Sequence, residues 1–323
     1  MRAAVLGGGS WGTALSLVLA RNGNEVVLWG RNSAEAEAIR VHRENRKYLP
    51  GFELPASVEV TTQPPTTCDM WVIAVPSAAV REVCALLPQD PGPVVLAAKG
   101  LEPGSGKRMT QVLAEERPGT SGLILSGPNL AIEIARGVPS ATVIAGRDLD
   151  LADWARARFM APTFRVYTNP DVVGVELGGA LKNVLAVGAG MSDGLGFGDN
   201  TKAALLSRGL REMATIGMEL GAEMATFMGL SGFGDLFATA VSSLSRNYRV
   251  GRLLAQGSTL DAALREIGQV AEGVPTSEAA VRLAQEARVE APLHEAIHAV
   301  LCGELRPQDA VRSLMERTPR VEI

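Results

Sequence analysis

Of the 31 Lys and Arg residues in this 323-residue chain, only five are lysines, at positions 47, 99, 107, 182 and 202. Arginine is the ordinary surface cation here, so a lysine set in an apolar stretch calls for a chemical reason. Lys182 is such a residue. It sits within residues 174–198, GVELGGALKNVLAVGAGMSDGLGFG. There Val175, Leu181, Val184, Leu185 and Val187 recur at helical spacing, while Gly178, Gly179, Ala180 and Ala186 keep one side small. On a helix its neighbours three and four positions away are Gly178, Gly179, Leu185 and Ala186, so no carboxylate pairs with it locally. An ammonium without a local counter-ion is poised to lose its proton, which suits acid–base work. The plainer alternative is a stem that covers apolar surface while the ammonium reaches water.

Polar islands farther along offer partners for it. Residues 231–235, SGFGD, read as a flexible turn that delivers the Asp235 carboxylate. Ser245-Arg246-Asn247 sets a hydroxyl, a guanidinium and an amide in succession, the donors that grip a phosphate. A capped helix start at the surface is the competing reading. Residues 268–273, GQVAEG, form a Gly-bounded loop that says little alone.

The elements that must position these groups begin at the N-terminus. Residues 3–6 form a short apolar run, followed by Gly7, Gly9 and Gly12 in G-x-G-x-x-G spacing. Ala14, Leu15, Val18 and Leu19 then recur at helical spacing as far as Asn22-Gly23, and residues 25–29, EVVLW, read as a second strand. Between a strand and a helix, such glycines serve a tight turn, backbone approach to a pyrophosphate and close packing. The helix N-terminus adds amide donors for the phosphates. This predicts dinucleotide binding. At the end of the second strand, where an NAD-selective site carries Asp or Glu, stands Arg31. Arg31 can pair with a 2′-phosphate or stack beside adenine, or remain a solvated loop residue.

Further strands are predicted at 71–75, 94–98, 123–125, 142–145 and 164–167, apolar enough for a sheet covered on both faces. Ligands collect beyond the carboxyl ends of such strands, where Pro76, Lys99 and the Gly127-Pro128-Asn129 turn fall. Beyond Asn169-Pro170 the pattern turns helical. The fold expectation is an N-terminal Rossmann-type doubly wound α/β sheet, residues 1–169, and an all-helical second domain, residues 170–323. The boundary falls near 168–172.

Composition narrows the function. A net charge of −4 gives no general attraction for nucleic acid or anionic membrane. Cys68, Cys84 and Cys302 lie far apart and read as ordinary buried thiols in a reducing, cytoplasmic compartment. The Gly-rich turn interrupts the N-terminal apolar stretch that a signal peptide would need, and no uninterrupted apolar run spans a bilayer. His294-Glu295-Ala296-Ile297-His298 matches H-E-x-x-H, but no third-ligand motif follows. It reads as two surface imidazoles on an amphipathic helix, with no metal site.

The succession GGGSWGTAL, AVPS, AAKGLE, SGPNLAIEIA, ELGGALKNVLAVGAGMSDGLGFGDN, GFGDL, SRNYRVG and GQVAEGV closely resembles bacterial NAD(P)-dependent glycerol-3-phosphate dehydrogenase over nearly the full chain. The resemblance implies a 6-phosphogluconate-dehydrogenase-like C-terminal domain. It implies interconversion of sn-glycerol 3-phosphate and dihydroxyacetone phosphate with NADP or NAD, for phospholipid synthesis. It implies Lys182 as proton acceptor and donor, with Asp235 beside it. Gly7, Gly9, Ser10, Trp11, Gly12, Arg31, Tyr48, Lys99, Ala131, Arg246, Val270 and Glu272 are implied cofactor contacts. Lys99, Gly127, Asn129, Lys182, Asp235, Ser245, Arg246 and Asn247 are implied substrate contacts. Asn129 departs from the Ser or Thr usual there. A homodimer is compatible with the family. Two rivals stand beside it. A β-hydroxyacid dehydrogenase would place Asn four residues after the lysine, where this chain has Ala186. A non-enzymatic NAD(P) sensor would need neither Lys182 nor Asp235.

Overall fold

The computed structural model describes residues 1–318. Eight strands form one sheet: β1 Arg2–Leu6, β2 Glu25–Trp29, β3 Val58–Thr61, β4 Met70–Ile73, β5 Val94–Leu96, β6 Gly122–Ser126, β7 Ser140–Ala145 and β8 Phe164–Asn169. The helices among them are α1 Ser10–Arg21, α2 Ser33–His42, α3 Val80–Ala85, α4 Met109–Glu116, α5 Ala131–Arg136 and α6 Leu149–Phe159. Beyond the sheet run α7 Val172–Gly194, α8 Asp199–Glu219, α9 Met224–Met228, α10 Asp235–Val241, α11 Arg246–Ala255, α12 Leu260–Ile267, α13 Gly273–Glu286, α14 Pro292–Leu301 and α15 Pro307–Met315.

The strand order is β3-β2-β1-β4-β5-β6-β7-β8, and the order reverses between β1 and β4. The chain crosses over from β3 to β4 there, which opens a crevice beyond the strand ends. Strands β4, β5 and the central part of β1 are buried along their length, as a sheet covered on both faces requires. β3 was not predicted. Its sequence, VEVT, alternates buried and exposed positions at a sheet edge and has no long apolar run to betray it. β7 pairs antiparallel with β6, so residues 142–145 run away from the crevice rather than toward it. It is the start of β7, where Thr142 accepts from Asn129, that borders the ligand edge.

In the second half, α7 forms the axis. It is the one helix among the described residues long and apolar enough to cross a bilayer, and it is enclosed by protein, with α8, α10, α11 and α13 packed around it. Its glycines explain how. A Cβ on Gly190 would collide with the Tyr248 carbonyl, and a Cβ on Gly251 with the Val187 carbonyl, so α7 and α11 touch backbone to backbone. On another side Gly178 lies against the Ser231 carbonyl, where a Cβ would sit 2.6 Å away. The expected flexible turn at 231–235 is instead a π-helical turn, Leu230–Gly234, that runs directly into α10. Gly232 permits it, because any side chain there would strike the Phe227 backbone. Asp235 is therefore held on rigid structure.

Sheet and helices are joined by a buried carboxylate. Glu176 in α7 accepts from the Thr110 amide at 2.8 Å, the Thr110 hydroxyl at 2.6 Å and Arg108 Nη1 at 2.6 Å. Burial pushes the Glu176 carboxyl upward, against the opposing pull of Arg108 and the Thr110 donors. Two further expectations change. His294 is fully buried, with its Nδ1 2.8 Å from Glu212 Oε2, while His298 Nδ1 meets the Ser277 hydroxyl at 3.0 Å. Glu212 also accepts from the amides of Leu293 and His294, so H-E-x-x-H here marks a buried cap on α14. Cys84 is buried but Cys302 is exposed, at the end of α14 where the helix meets solvent.

The α7–α11 crossing gives a stability prediction. Gly190→Ala should cost about 1–3 kcal/mol or more by overpacking. Gly198→Ala, where a Cβ meets nothing within 4 Å, should cost only the smaller loss of a glycine N-cap on α8, leaving its urea midpoint above that of Gly190→Ala. Equal midpoints for the two variants would remove backbone contact as the reason for the glycine.

Candidate active site

A single cleft of about 1210 Å³ runs along the crevice at the sheet's ligand edge and across to the helical half. At one end the wall is the Gly7–Trp11 loop with Gly30, Arg31 and Tyr48. At the other end it is Lys99, Asn129, Asn183, Thr239, Arg246 and the loop carrying Val270 and Glu272. Gly7 adopts φ +133°, and a Cβ there would strike the Ala74 carbonyl. Gly12 packs against the Gly7 carbonyl just as closely. Gly9 differs, since a Cβ would meet nothing within 4 Å. Two glycines thus close the turn while the middle one leaves the α1 amides open to the cleft. Trp11 Nε1 is buried on this wall without a partner.

The chemistry gathers where the two halves meet. Lys182 Nζ donates to Asp235 Oδ1 at 3.0 Å and to the Thr239 hydroxyl at 2.6 Å. Lys99 Nζ donates to the other carboxylate oxygen of Asp235 at 2.8 Å and to the Gly127 carbonyl at 2.6 Å. The side chains of Lys182 and Asp235 are only 6% and 3% exposed, while Lys99 keeps 15%. Lys182 has no carboxylate three or four positions away on its own helix, and it receives one from α10, 53 residues downstream. Burial lowers the Lys182 pKa from 10.5 to about 8. Asp235 opposes that shift, and the charges of Lys99 and Arg246 reinforce it. Burial would raise the Asp235 carboxyl, but two ammoniums and their hydrogen bonds hold it below its ordinary value. Two cations on one anion leave a net positive charge in a confined space.

Arg246 begins α11, capped by Ser245, whose hydroxyl accepts from the Tyr248 amide at 3.2 Å. The guanidinium keeps solvent contact through the cleft, yet protein walls surround it and desolvation lowers its pKa, against the pull of Glu272. The Ser245 hydroxyl takes the Tyr248 amide, while the amides of Arg246 and Asn247 have no intrahelical partner, on residues that line the cleft. Asn247 lines the cleft, and its side chain is partly engaged within the fold. Its Nδ2 donates to Asn183 Oδ1 at 2.7 Å, and its Oδ1 accepts from the Gly273 amide at 2.9 Å. Asn183 in turn donates to the Lys99 carbonyl at 2.8 Å. That relay ties α11, α7 and the start of α13 to the backbone of Lys99. Glu272 accepts from the Ser77 amide at 2.9 Å and the Ser77 hydroxyl at 2.6 Å, which joins the second half to the turn after β4. Burial raises its carboxyl pKa, and the Ser77 donors and Arg246 partly offset this.

Other predicted residues fall around this centre. Gly127, with φ +146°, turns its carbonyl to Lys99 because no side chain fits against Thr142. Asn129 donates to Thr142 Oγ1 at 2.8 Å and keeps a buried Oδ1 without a partner. Ala131 opens α5, and Val270 lies exposed at the cleft mouth. Thr239 was missed. It follows Asp235 by four positions on α10, a spacing that puts both on one helical face. Ser77 and Asn183 were missed as well, and only the three-dimensional relay identifies them.

Comparison with known proteins follows the same division. A family profile described as NAD-dependent glycerol-3-phosphate dehydrogenase N-terminus matches residues 2–152, and the corresponding C-terminus profile matches residues 171–312. A glycerol-3-phosphate dehydrogenase [NAD(P)+] from Pelotomaculum thermopropionicum is 50% identical, over 98% of this chain and 93% of its own. One from Desulfitobacterium hafniense is 45% identical, over 99% and 92%. The crystal structure of glycerol-3-phosphate dehydrogenase from Coxiella burnetii superposes with a TM-score of 0.92 at 36% identity, covering 98% of this chain and 99% of that one. A ketopantoate reductase of the PanE/ApbA family from Ralstonia eutropha, at 15% identity and TM-score 0.59, shares the fold.

The shared carboxylate yields a direct test. Because the Asp235 charge raises the Lys182 pKa, Asp235→Asn should lower it below about 8. With five lysines in the chain, the Lys182 resonance can be followed by NMR titration of lysine-labelled protein. A value near the free lysine pKa of about 10.4 in the unaltered chain would show that burial does not set the titration.

Proposed function

The chain belongs to the NAD-dependent glycerol-3-phosphate dehydrogenase family, and on that premise we propose how its residues divide the work. The enzyme is an oxidoreductase that interconverts sn-glycerol 3-phosphate and dihydroxyacetone phosphate with NAD(P)(H), supplying glycerol 3-phosphate for phospholipid synthesis. The proposal rests on the Lys99–Asp235–Lys182 cluster, set where the dinucleotide crevice opens onto the helical half.

The cleft fits a dinucleotide. The open Gly9 position and the orphaned Trp11 Nε1 offer donors where a pyrophosphate would lie, with Gly7, Ser10 and Gly12 shaping the turn. Arg31 and Tyr48 would take the adenosine end, and Lys99, Ala131, Arg246, Val270 and Glu272 the nicotinamide end. Hydride exchange at substrate C2 is the chemistry this group supplies when bound. Lys182 carries the proton. In reduction its ammonium protonates the forming alkoxide, and in oxidation its amine accepts the hydroxyl proton. Asp235 and Thr239 aim Lys182, while Lys99 shares Asp235 and keeps that carboxylate ionised. Arg246 and the amides opening α11 hold the substrate phosphate. Ser245 fixes that helix start, Asn247 lines the cleft beside Arg246 and links it to Asn183, Asn129 lines the cleft near Lys99, and the Gly127 carbonyl accepts from Lys99.

We propose residues 1–169 and 170–323 as the two domains. The three unpaired cysteines support a reducing, cytoplasmic location. An exposed apolar stripe of Phe233, Phe237 and Val241 on and before α10 supports a homodimer, which sedimentation velocity would find monomeric if that surface stays free.

Lys182→Ala should reduce turnover of dihydroxyacetone phosphate by about 10²–10⁴-fold with melting temperature and cofactor affinity retained. Lys182→Arg should not restore it, because guanidinium stays protonated. In the unaltered enzyme, reduction needs protonated Lys182 and should decline as pH rises through about 8, whereas oxidation needs the neutral amine and should rise over the same window. A profile that is flat there in both directions, or a Lys182→Ala enzyme with near-normal turnover, would refute the assignment.

Arg246→Ala should raise the KM for dihydroxyacetone phosphate by tenfold or more, corresponding to a loss of about 1.5–3 kcal/mol for a charge-assisted contact. Unphosphorylated dihydroxyacetone, which lacks that contact, should lose nothing further. Equal losses for both ketones would place Arg246 on the cofactor or the fold instead.

A further inference from the structure

The adenosine end of the cleft holds a feature absent from the reading above, on which this inference rests. Arg31, at the end of β2, stands where an acidic residue would meet the ribose of NAD. An acid reaches that end all the same, from the next element. Asn32 caps α2 by accepting from the Glu35 amide at 3.1 Å, which places Glu35 in the first turn of the helix and on the cleft wall. The Glu35 carboxylate is paired. Its Oε1 accepts from Lys47 Nζ at 2.6 Å and weakly from the Tyr48 hydroxyl at 3.4 Å. Lys47 also lies 4.9 Å from the centre of the Tyr48 ring, and Tyr48 lines the cleft. Lys47 remains 60% exposed and Glu35 32%; Lys47 reaches the cleft wall through Glu35 and Tyr48 and is able to exchange partners. Lys47 is one of only five lysines in a chain that uses arginine for its surface, and a lysine's single mobile charge suits exchange better than a fixed guanidinium fork.

We propose that the Lys47–Glu35 pair discriminates between the two cofactors. Glu35 accepts the ribose 2′-hydroxyl of the unphosphorylated dinucleotide, while Lys47 leaves Glu35 for the 2′-phosphate of the phosphorylated one. Each charge has a separate task. Glu35 is an acceptor that a hydroxyl satisfies and a phosphate repels, whereas Lys47 offsets that repulsion only when a phosphate is present. Arg31 adds a second cation beside them, so the end carries one excess positive charge while the pair is intact. That arrangement admits both cofactors, and the balance shifts with either member of the pair.

The test uses the full chain and fragments that carry only the adenosine end. Adenosine 2′,5′-bisphosphate and 5′-AMP are titrated by calorimetry into the unaltered protein, Glu35→Gln, Lys47→Met and Arg31→Ser. Glu35→Gln should tighten the bisphosphate and weaken 5′-AMP, while Lys47→Met should weaken the bisphosphate and spare 5′-AMP. Each change in the affinity ratio should reach at least about threefold at low salt and shrink as salt screens the charges. Any pattern other than opposite shifts in the two variants overturns the proposal. If Arg31→Ser alone moves the ratio, the pair merely tethers α2 and the adenosine end stays where it was placed. If none of the three moves it, that placement fails along with the inference.

Discussion

One carboxylate shared by two buried ammoniums constrains the whole molecule. Asp235 comes from α10, Lys182 from α7 and Lys99 from the segment after β5, so the contact exists only when sheet and helices hold a fixed relation. Removing charges from water is costly unless each finds partners, and here each cation also donates to a second oxygen, Thr239 or Gly127. The arrangement still leaves more positive than negative charge. That excess, together with burial, brings Lys182 to about 8, near working pH. A lysine paired one-to-one with its own aspartate would be held protonated and could not serve both directions of a proton transfer.

The packing around α7 serves that cluster. Small residues let α11, which begins with Arg246, and the π-helical turn, which leads into Asp235, lie against its backbone. Glu176, held by Arg108 and Thr110, pins α7 to the start of α4 at a site away from the cleft. The Asn183–Asn247 relay does the same at the cleft itself and ends on the backbone of Lys99. Positions that look conformationally permissive in sequence are thus sites of close approach, and the permissiveness is used up in packing.

Local patterns were legible where one physical rule dominated. Gly7, Gly9 and Gly12 between a strand and a helix specify their turn, and Lys182 stands out because its helix offers no counter-ion three or four positions away. The family resemblance added the partners that spacing could not. What stayed hidden depended on contacts distant in sequence. VEVT became an edge strand only because β2 was there to pair with it. The Gly-rich segment before Asp235 looked like a turn, since its helical geometry is imposed by Phe227 and α7 rather than by propensity. His294 looked like a surface imidazole because Glu212, its buried partner, lies 82 residues away. The bonds of Asn247 to Asn183 and Gly273 were hidden for the same reason, and they leave one Nδ2 hydrogen for the cleft.

The positive excess also explains why a phosphorylated substrate suits this cleft. Arg246 already acts on Lys182 through space, lowering its pKa, so charge at the α11 N-terminus is felt at the proton-transfer site. An anion held there opposes that influence and raises the Lys182 pKa, and by reciprocity a protonated Lys182 strengthens the hold on the anion. On the proposed assignment, binding of the ketone phosphate would therefore load the lysine with the proton that reduction consumes. Once Lys182 has given up that proton, its attraction for the phosphate weakens, which favours release of the product. An unphosphorylated ketone would enter the same cleft without setting that coupling. With Lys182 in the proposed role, the phosphate would be more than a handle for affinity, because its charge would help to set the protonation state of the proton donor.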